Sequence, residues 1–440
     1  MADGAIPDLI APSRPRSAHA HLAGDLLLLA DQAAVFGLSP EDVLRMSRAL
    51  AKGDGATQAE LARLGLDGVP APMPDTTLQP VRALALTVSQ SCNMACGYCY
   101  AAGGSFGGPD TRMTPEVAHR AIDQLIDSTP PGGAVKIAFM GGEPMLARDL
   151  IMGSVKHARE RAAARAISIG FSMTTNGTLL RPEDAAFLAE QRFAVTVSLD
   201  GDRETNDRLR PMNGGQGSFD RIAKRLAPLF DLKDRLSLSA RVTATPNNLD
   251  IPRTVAALSE LGFSSVGVSP MLTSPTGKGA LQADDLPLLL QAMIDAGEDW
   301  LSDTLAGRPN AFANLATALQ EIHRGKARDH SCGAVRDYLA VDAKGAYSAC
   351  HRFVNDPLGE MGDLASGIDH KARDTFLRQR TVTAQDSCQT CWARKLCGGG
   401  CHHEVLHAGR PACDFVRGWL HFALGAYARV MAERPDWFDA

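Results

Sequence analysis

The segment "SCNMACGYCYAAGGSFGG" contains three closely spaced cysteines. Cys92, Cys96 and Cys99 fall within eight positions, and an aromatic residue stands on each side of the last one. An iron–sulfur cubane normally takes four cysteine thiolates, so a loop that supplies three leaves one iron without a protein ligand. Zinc usually recruits four protein ligands, and no histidine is adjacent to supply the fourth. The spacing therefore favours an iron–sulfur cluster with one open iron, which a small molecule can chelate.

The elements that position this loop follow an alternating pattern. From about residue 82, short β-rich runs alternate with longer amphipathic helical patterns, such as Pro115–Ser128 and Arg181–Gln191, with acids in the first turn. The six candidate strands are Arg82–Val88, Ala134–Met140, Ala166–Met173, Phe193–Leu199, Leu236–Ala244 and Ser264–Pro270. Strands separated by helices predict βα units and a parallel sheet, in the α/β class.

Polar motifs follow the first four of these strands. The cysteine loop follows the first strand, "GGEP" (Gly141–Pro144) the second, "TTNGT" (Thr174–Thr178) the third and "DGDRETND" (Asp200–Asp207) the fourth. In βα barrels, reactive groups gather on the loops after the strands. We therefore expect these four segments to meet at one mouth and to form the active site.

The composition is that of a folded chain with more than one domain. Its 440 residues exceed the roughly 250–300 at which a single hydrophobic core stops growing. A net charge of −5 without a basic block argues against nucleic acid as a partner. The early apolar run Asp25–Asp31 is short and bounded by acids, so we expect neither a membrane span nor a secretory signal. These features predict a cytoplasmic protein whose ten cysteines are ligands or catalysts rather than disulfides.

The remaining cysteines form a second group. No cysteine lies between residues 100 and 331, and seven lie between 332 and 413, which suggests two metal-bearing regions separated by a scaffold. Upstream of the first strand, the sequence predicts a small hairpin, a helix capped at Ser39, and a linker at Pro70–Pro80. Residues 283–325 are predicted to be mostly helical, and Phe415–Met431 is predicted to form a closing helix.

Three motifs resemble those of the radical S-adenosylmethionine (SAM) superfamily: the cysteine spacing with aromatic Tyr98, the GGEP segment, and "VSLDG" (Val197–Gly201). In that family a [4Fe-4S] cluster cleaves SAM, and the 5′-deoxyadenosyl radical takes hydrogen from an unactivated C–H bond. The resemblance implies that Gly141, Gly142 and Glu143 hold the SAM amino group. It also implies SAM contacts at Asn176 and Ser198, with Arg210 or Arg241 binding the carboxylate. The alternative for the motifs is a plain turn, and for the arginines an exposed or strand-edge position.

The seven C-terminal cysteines resemble a SPASM domain, which carries auxiliary iron–sulfur clusters beside a radical SAM barrel. The family pattern implies one cluster on Cys388, Cys391, Cys397 and Cys413, and an inner cluster on Cys332, Cys350 and Cys401. Some relatives supply a further cysteine upstream, but Lys326–Cys332 contains no other. The inner cluster is therefore expected to have an open iron or a non-cysteine ligand such as His330. A zinc ribbon made from Cys388, Cys391, Cys397 and Cys401 is the alternative.

The resemblance also implies a fold and a domain order. We predict a small N-terminal α+β segment and linker over residues 1–80, which resembles a reduced peptide-recognition element. A partial (β/α)6 TIM-type barrel is predicted over residues 81–275 and a helical linker over 276–330. The cysteine-rich SPASM domain is predicted over residues 331–440.

SPASM proteins mostly modify peptides, and several segments here most resemble enzymes that form sulfur-to-carbon thioether bridges in peptides. The implied substrate is a Cys-containing peptide or small protein, with a ferredoxin or flavodoxin as electron donor. Thiolate formation needs a base, and we predict Asp200 first and Asp207 second, although capping is as common for an Asp after a strand.

Three alternatives stay open. A sulfatase-maturating enzyme shares this architecture and forms formylglycine, but usually has a complete auxiliary ligand set. A relative that joins aromatic rings to unactivated carbons, making cyclophanes, has the same visible features. A non-catalytic zinc or electron-transfer protein does not require the Gly141–Glu143 and Ser198–Gly201 segments.

Overall fold

The structure is a computed structural model that describes residues 19–71 and 77–439. The chain divides into two compact units, the first made of Met1–Thr76, Gln282–Cys332 and Arg378–Ala440, and the second of Thr77–Leu281 and Gly333–Leu377. The predicted segment 1–80 and its linker Pro70–Pro80 lie partly outside the described residues. The four-domain division stays a prediction.

The N-terminal part of the first unit is a small α+β element, as predicted. Strands β1 (Ala20–Ala23), β2 (Leu26–Leu29) and β3 (Ala34–Gly37) form an antiparallel sheet in that order. Helices α1 (Pro40–Lys52) and α2 (Asp54–Arg63) follow. The Ser39 hydroxyl caps α1 by accepting a hydrogen bond from the backbone N–H of Asp42, which satisfies one of the free amides of the first turn. The sheet and helices share a core of Ala20, Leu27, Leu29, Met46, Leu50 and Leu61.

The predicted parallel sheet forms the centre of the second unit. Its strands are β4 (Ala83–Ser89), β5 (Ala134–Gly141), β6 (Ser168–Thr175), β7 (Ala194–Ser198), β8 (Ser237–Ala244) and β9 (Val266–Pro270). They pair in chain order, each parallel to the next. The connecting helices are α3 (Pro115–Asp127), α4 (Arg148–Ala164), α5 (Pro182–Glu190), α6 (Arg203–Leu209), α7 (Phe219–Phe230) and α8 (Ile251–Leu261). The α/β fold class and all six predicted strands are confirmed, with small shifts at their ends.

Side-chain alternation explains which face of this sheet meets the helices. On β6, Phe171 and Met173 are buried while Ser172 and Thr174 on the other face are only partly buried. Apolar residues at every second position put one face of a strand into the core, where α4 packs on β6. The opposite face therefore carries polar side chains into the interior of the partial barrel.

The rest of the chain adds helices and short strands. Helices α9 (Asp285–Leu305) and α10 (Ala313–Arg324) confirm the predicted helical stretch. Strand β10 (Tyr338–Val341) pairs in parallel with β4, and β11 (Ala346–Ser348), β12 (Glu360–Asp363) and β13 (Gly367–Ile368) continue that sheet antiparallel. The last helices are α11 (His370–Arg380), α12 (Asp386–Gln389), α13 (Arg394–Cys397), α14 (His402–Ala408) and α15 (Cys413–Glu433). Among the described residues, none of the helices has the length and apolarity to cross a lipid bilayer.

Candidate active site

The three-cysteine loop follows β4 and is fixed to neighbouring segments. The backbone N–H of Ala95 donates to the Pro211 carbonyl at 2.9 Å, and Asn213 Nδ2 donates to the Cys92 carbonyl at 3.1 Å. Cys99 packs against the apolar cluster that contains Ala85 of β4. The loop is therefore held both by hydrogen bonds and by packing on the sheet.

The three thiols suit a cationic metal centre. Each cysteine of the loop is partly buried. Burial raises the pKa of Cys92 to about 11 and also raises the pKa of Cys96. Three thiolates in one partly buried loop repel each other and lose hydration, so a bound cation must compensate for both effects. Asn176 Nδ2 lies 3.7 Å from Cys92 Sγ, where it donates a weak hydrogen bond to the sulfur. The donor set fits an iron–sulfur cluster held by three cysteines.

Two glycines at the end of β5 let the backbone approach this loop. A Cβ on Gly141 would lie 2.2 Å from the Ser89 carbonyl oxygen, and one on Gly142 would lie 2.3 Å from the Ser91 carbonyl oxygen. Gly141 also has a φ of 156°, a positive value that residues with a Cβ rarely adopt. These contacts show why the chain carries glycine here: the β5 loop and the cysteine loop are in direct backbone contact.

Gly142→Ala is therefore expected to displace the cysteine loop, because its Cβ would meet the backbone of Ser91. We expect the unfolding free energy to fall by about 1–3 kcal/mol and bound iron to fall as well. The control is Gly153→Ala on α4, where a Cβ meets nothing within 4 Å. That variant should be as stable as the original chain or more stable, because alanine favours helix. Thermal melts and iron analysis of both variants test the prediction; equal iron content would contradict it.

Glu143 joins the loops that follow β5 and β6. Its carboxylate is fully buried and accepts hydrogen bonds from Thr175 Oγ1 at 2.6 Å, from the Asn176 N–H at 2.7 Å and from the Met145 N–H at 3.0 Å. Burial raises the pKa of Glu143, although these donors act in the opposite direction. Asn176 in turn donates to Asn93 Oδ1 at 3.0 Å. The GGEP and TTNGT segments are thus linked to each other and to the cysteine loop, and their SAM contacts stay a prediction.

Asp200 belongs to a buried network that the sequence did not reveal. Its side chain is fully buried, and its carboxylate accepts from the Tyr98 hydroxyl and, at 2.9 Å, from the Thr243 N–H. Arg210 Nη1 donates to the Tyr98 hydroxyl at 2.5 Å and lies 3.9 Å from the Asp200 carboxylate. Burial raises the pKa of Asp200, and the nearby Arg210 charge partly offsets that rise. The only sequence signal for this network was the aromatic residue beside Cys99.

The Asp207 carboxylate caps the start of α7. Its Oδ1 accepts hydrogen bonds from the backbone N–H groups of Ser218 and Phe219, both at 2.7 Å, at the start of α7. A carboxylate there satisfies free amides of the first turn and favours the helix dipole. Its role as a base stays a prediction.

Ser198, the last residue of β7, is paired in register with Arg241 in the middle of β8. Arg241 lies on the polar face of β8, and its side chain is exposed. Partial desolvation by the surrounding protein lowers its pKa. Among the described residues no carboxylate forms an ion pair with it. Arg210, by contrast, is already engaged by Tyr98 and Asp200. Of the two predicted carboxylate ligands, Arg241 is thus the one whose charge is left to bind an anion.

Four of the C-terminal cysteines form what we call the outer site: Cys388, Cys391, Cys397 and Cys413. They come from α12, α13, α15 and the turn between α12 and α13 of the first unit. Burial raises the pKa of Cys397 to about 11, while backbone N–H groups of Gly399 and Gly400 donate to its sulfur and lower it. Gly398, Gly399 and Gly400 all have positive φ values, 71°, 89° and 76°, which turn successive amides toward that sulfur. The donor set fits a four-cysteine metal centre.

The other three predicted auxiliary ligands come from three different segments of the chain. Cys332 is exposed in the loop before β10, Cys350 follows β11, and Cys401 precedes α14. His330 is buried in the first unit, where a Cβ on Gly398 would lie 2.5 Å from its backbone carbonyl. Assignment of these residues to an inner cluster stays a prediction.

Comparison with known proteins defines the class. Residues 86–233 match the radical SAM superfamily. This region begins within β4 and contains β5 to β7, the three-cysteine loop and the GGEP, TTNGT and VSLDG segments. Residues 86–233 thus form a radical SAM domain, which bears out the predicted fold class and the predicted use of SAM and [4Fe-4S] chemistry.

Two curated relatives that are similar over most of this chain are maturases. The cysteine-type anaerobic sulfatase-maturating enzyme of Clostridium perfringens is 25% identical over 74% of this chain and 89% of its own length. Mycofactocin maturase MftC of Mycolicibacterium smegmatis is 25% identical over 76% of this chain and 82% of its own length. The solved structure of native anSMEcpe with bound AdoMet has a similar fold, with a TM-score of 0.67, 20% identity, and coverage of 80% of this chain and 99% of that chain. The chain is thus similar to these maturases over about three quarters of its length.

Proposed function

We propose that this enzyme joins the sulfur of a peptide cysteine to a carbon atom of the same peptide, forming an intrapeptide thioether. The observation that carries the proposal is the three-cysteine loop in direct backbone contact with the GGEP segment, in a chain that also holds seven further cysteines. The absence of an upstream cysteine in Lys326–Cys332 supports an auxiliary cluster with an open iron, to which a substrate thiolate can bind.

Each group of residues has a role in this proposal. When bound, the cluster and SAM supply the radical that removes hydrogen from carbon. Cys92, Cys96 and Cys99 hold that cluster, and the Gly141–Glu143 segment, Asn176, Ser198 and Arg241 bind SAM. Asp200 takes the thiol proton, and its pKa, raised by burial, is shifted in the direction that a base needs. Arg210 keeps the Tyr98 and Asp200 side chains in place.

Arg241→Gln is expected to weaken SAM binding about tenfold or more, because a charge-assisted hydrogen bond to a carboxylate contributes about 1.5–3 kcal/mol. Equilibrium binding of SAM to the reconstituted enzyme measures the effect. Arg253→Gln is the control, since Arg253 is exposed and pairs with Asp202 at 2.6 Å. Equal SAM affinity in the Arg241→Gln variant and the unaltered enzyme would remove Arg241 from the site.

The partner and the compartment are parts of the same proposal. The substrate is a Cys-containing peptide or small protein, and a ferredoxin or flavodoxin supplies the electron in the cytoplasm. A small Cys-rich open reading frame beside the gene would identify a candidate peptide. The sequence resemblance of residues 1–80 to a reduced peptide-recognition element supports a role of that segment in binding the peptide.

Mass spectrometry of the treated peptide tests the proposed reaction. Anaerobic incubation of the peptide with reconstituted enzyme, SAM and a reductant should remove about 2 Da per bridge and consume one thiol, because the thiol becomes the bond-forming nucleophile. Release of 5′-deoxyadenosine without loss of a thiol would contradict thioether formation.

Formylglycine formation is the second candidate, because the relatives include a sulfatase-maturating enzyme similar over 89% of its length. In that reaction a cysteine loses its sulfur, so the product differs in mass from a thioether. A cyclophane would lose hydrogen with every thiol retained. A non-catalytic zinc or electron-transfer role would leave SAM intact. One experiment therefore separates all four outcomes.

A further inference from the structure

Three arginines surround the outer site. Arg417 Nη1 lies 4.0 Å from Cys391 Sγ. Arg380 is buried, and its Nε donates to His402 Nδ1 at 3.3 Å, beside Cys401. Arg410 is held by the Gly399 carbonyl at 3.2 Å and by the Gln385 side chain. The outer site therefore lies in a positive field.

Arg417 pairs with Asp414, a carboxylate whose side chain is 71% exposed. Within the described part of the chain, Arg380 Nη2 and Arg417 Nε are buried and have no hydrogen-bond partner. Burial of a guanidinium group is costly unless a negative charge or an acceptor lies nearby. Thiolates on a metal centre are the negative charge that these arginines face.

We infer that Arg380, Arg410 and Arg417 raise the reduction potential of an iron–sulfur cluster at the outer site, so that it accepts the electron that thioether formation releases. Reduction adds one negative charge to the cluster, and nearby cations stabilise the reduced form more than the oxidised form. The inference rests on the proposed function. The peptide carbon gives one hydrogen atom to the 5′-deoxyadenosyl radical, the thiol gives one proton to the base, the S–C bond forms, and one electron passes to the oxidised cluster.

Arg417 offers the sharpest test, because it lies on α15 four residues after Cys413 and on the same face. A redox titration followed by electron paramagnetic resonance measures the potential in a background with Cys92, Cys96 and Cys99 replaced by alanine. Loss of a signal on Cys413→Ser assigns that signal to the outer site. Arg417→Gln should lower the ratio of reduced to oxidised cluster about tenfold at a fixed applied potential. That change is equivalent to a fall of about 59 mV in the reduction potential of a one-electron couple.

Two control variants separate charge from structure. Arg417→Lys keeps the charge and should restore most of the ratio, which a purely structural role would not predict. Arg429→Gln removes an exposed arginine of α15, the helix that carries Arg417. Arg429 pairs with Glu298 of α9 at 3.0 Å, and its replacement should leave the ratio unchanged. An unchanged ratio in Arg417→Gln with full iron content would overturn the inference, as would zinc at the outer site. The crosslinking assay is scored separately, so failure of the proposed function is distinguished from failure of this inference.

Discussion

Cys99→Ala is expected to reduce SAM cleavage to the level of a protein-free control. Three thiolates are the fewest that can hold a cubane while leaving one iron for SAM, so removal of one leaves two and releases the cluster. The fold should survive, because Cys99 is only partly buried and belongs to a loop that is held independently by hydrogen bonds to Pro211 and Asn213. Iron analysis and 5′-deoxyadenosine release measure the two parts of the effect.

Cys413→Ala is the matched control, since it removes a cysteine from the outer site in the other unit. This variant should lose part of its iron, keep SAM cleavage and lose thioether formation. The contrast distinguishes a cluster that generates the radical from one that accepts an electron. SAM cleavage at the normal rate in Cys99→Ala would contradict the assignment of the three-cysteine loop.

The sheet and the position of the site were predictable because both depend on local patterns. Alternation on strands such as β6 follows from a period of two, and the motifs after the strands follow from chain order. Glycine at 141 and 142 was also visible, although only the structure shows that each glycine packs against the backbone of Ser89 and Ser91. Features that depend on a repeating pattern of residues, or on neighbouring positions in the chain, can thus be predicted from the sequence.

Contacts between distant residues were not predictable in the same way. Tyr98 and Asp200 lie 102 positions apart, and Arg210 was predicted to bind SAM rather than to donate to Tyr98. The pairing depends on the crossing of the cysteine loop with the ends of β7 and α6, which no single segment encodes. Arg417 is an intermediate case, because it lies in the helix predicted over Phe415–Met431, whereas only the structure shows that the helix begins at Cys413 and that Arg417 contacts Cys391.

Asp200→Ala is expected to lower the free energy of unfolding by about 3 kcal/mol, because it leaves the Arg210 guanidinium buried without its counter-charge. Arg210 is 7% exposed, so water cannot replace the lost carboxylate. The Tyr98 hydroxyl would also lose its acceptor. Denaturant unfolding of the protein measures the effect. The exposed pair Arg253–Asp202, broken by Arg253→Ala, should change stability by less than about 1 kcal/mol.

Asp200→Asn then separates proton transfer from positioning, because it keeps the shape of the side chain and removes the charge. If Asp200 takes the thiol proton, it is required only for thioether formation. The asparagine variant should then cleave SAM normally and form no crosslink. Tyr98→Phe removes the hydroxyl bridge and leaves the carboxylate, so it should retain crosslinking. If both variants instead lose SAM cleavage to the same extent, Asp200 acts by holding the cysteine loop through Tyr98, and the thiol proton must go to another group.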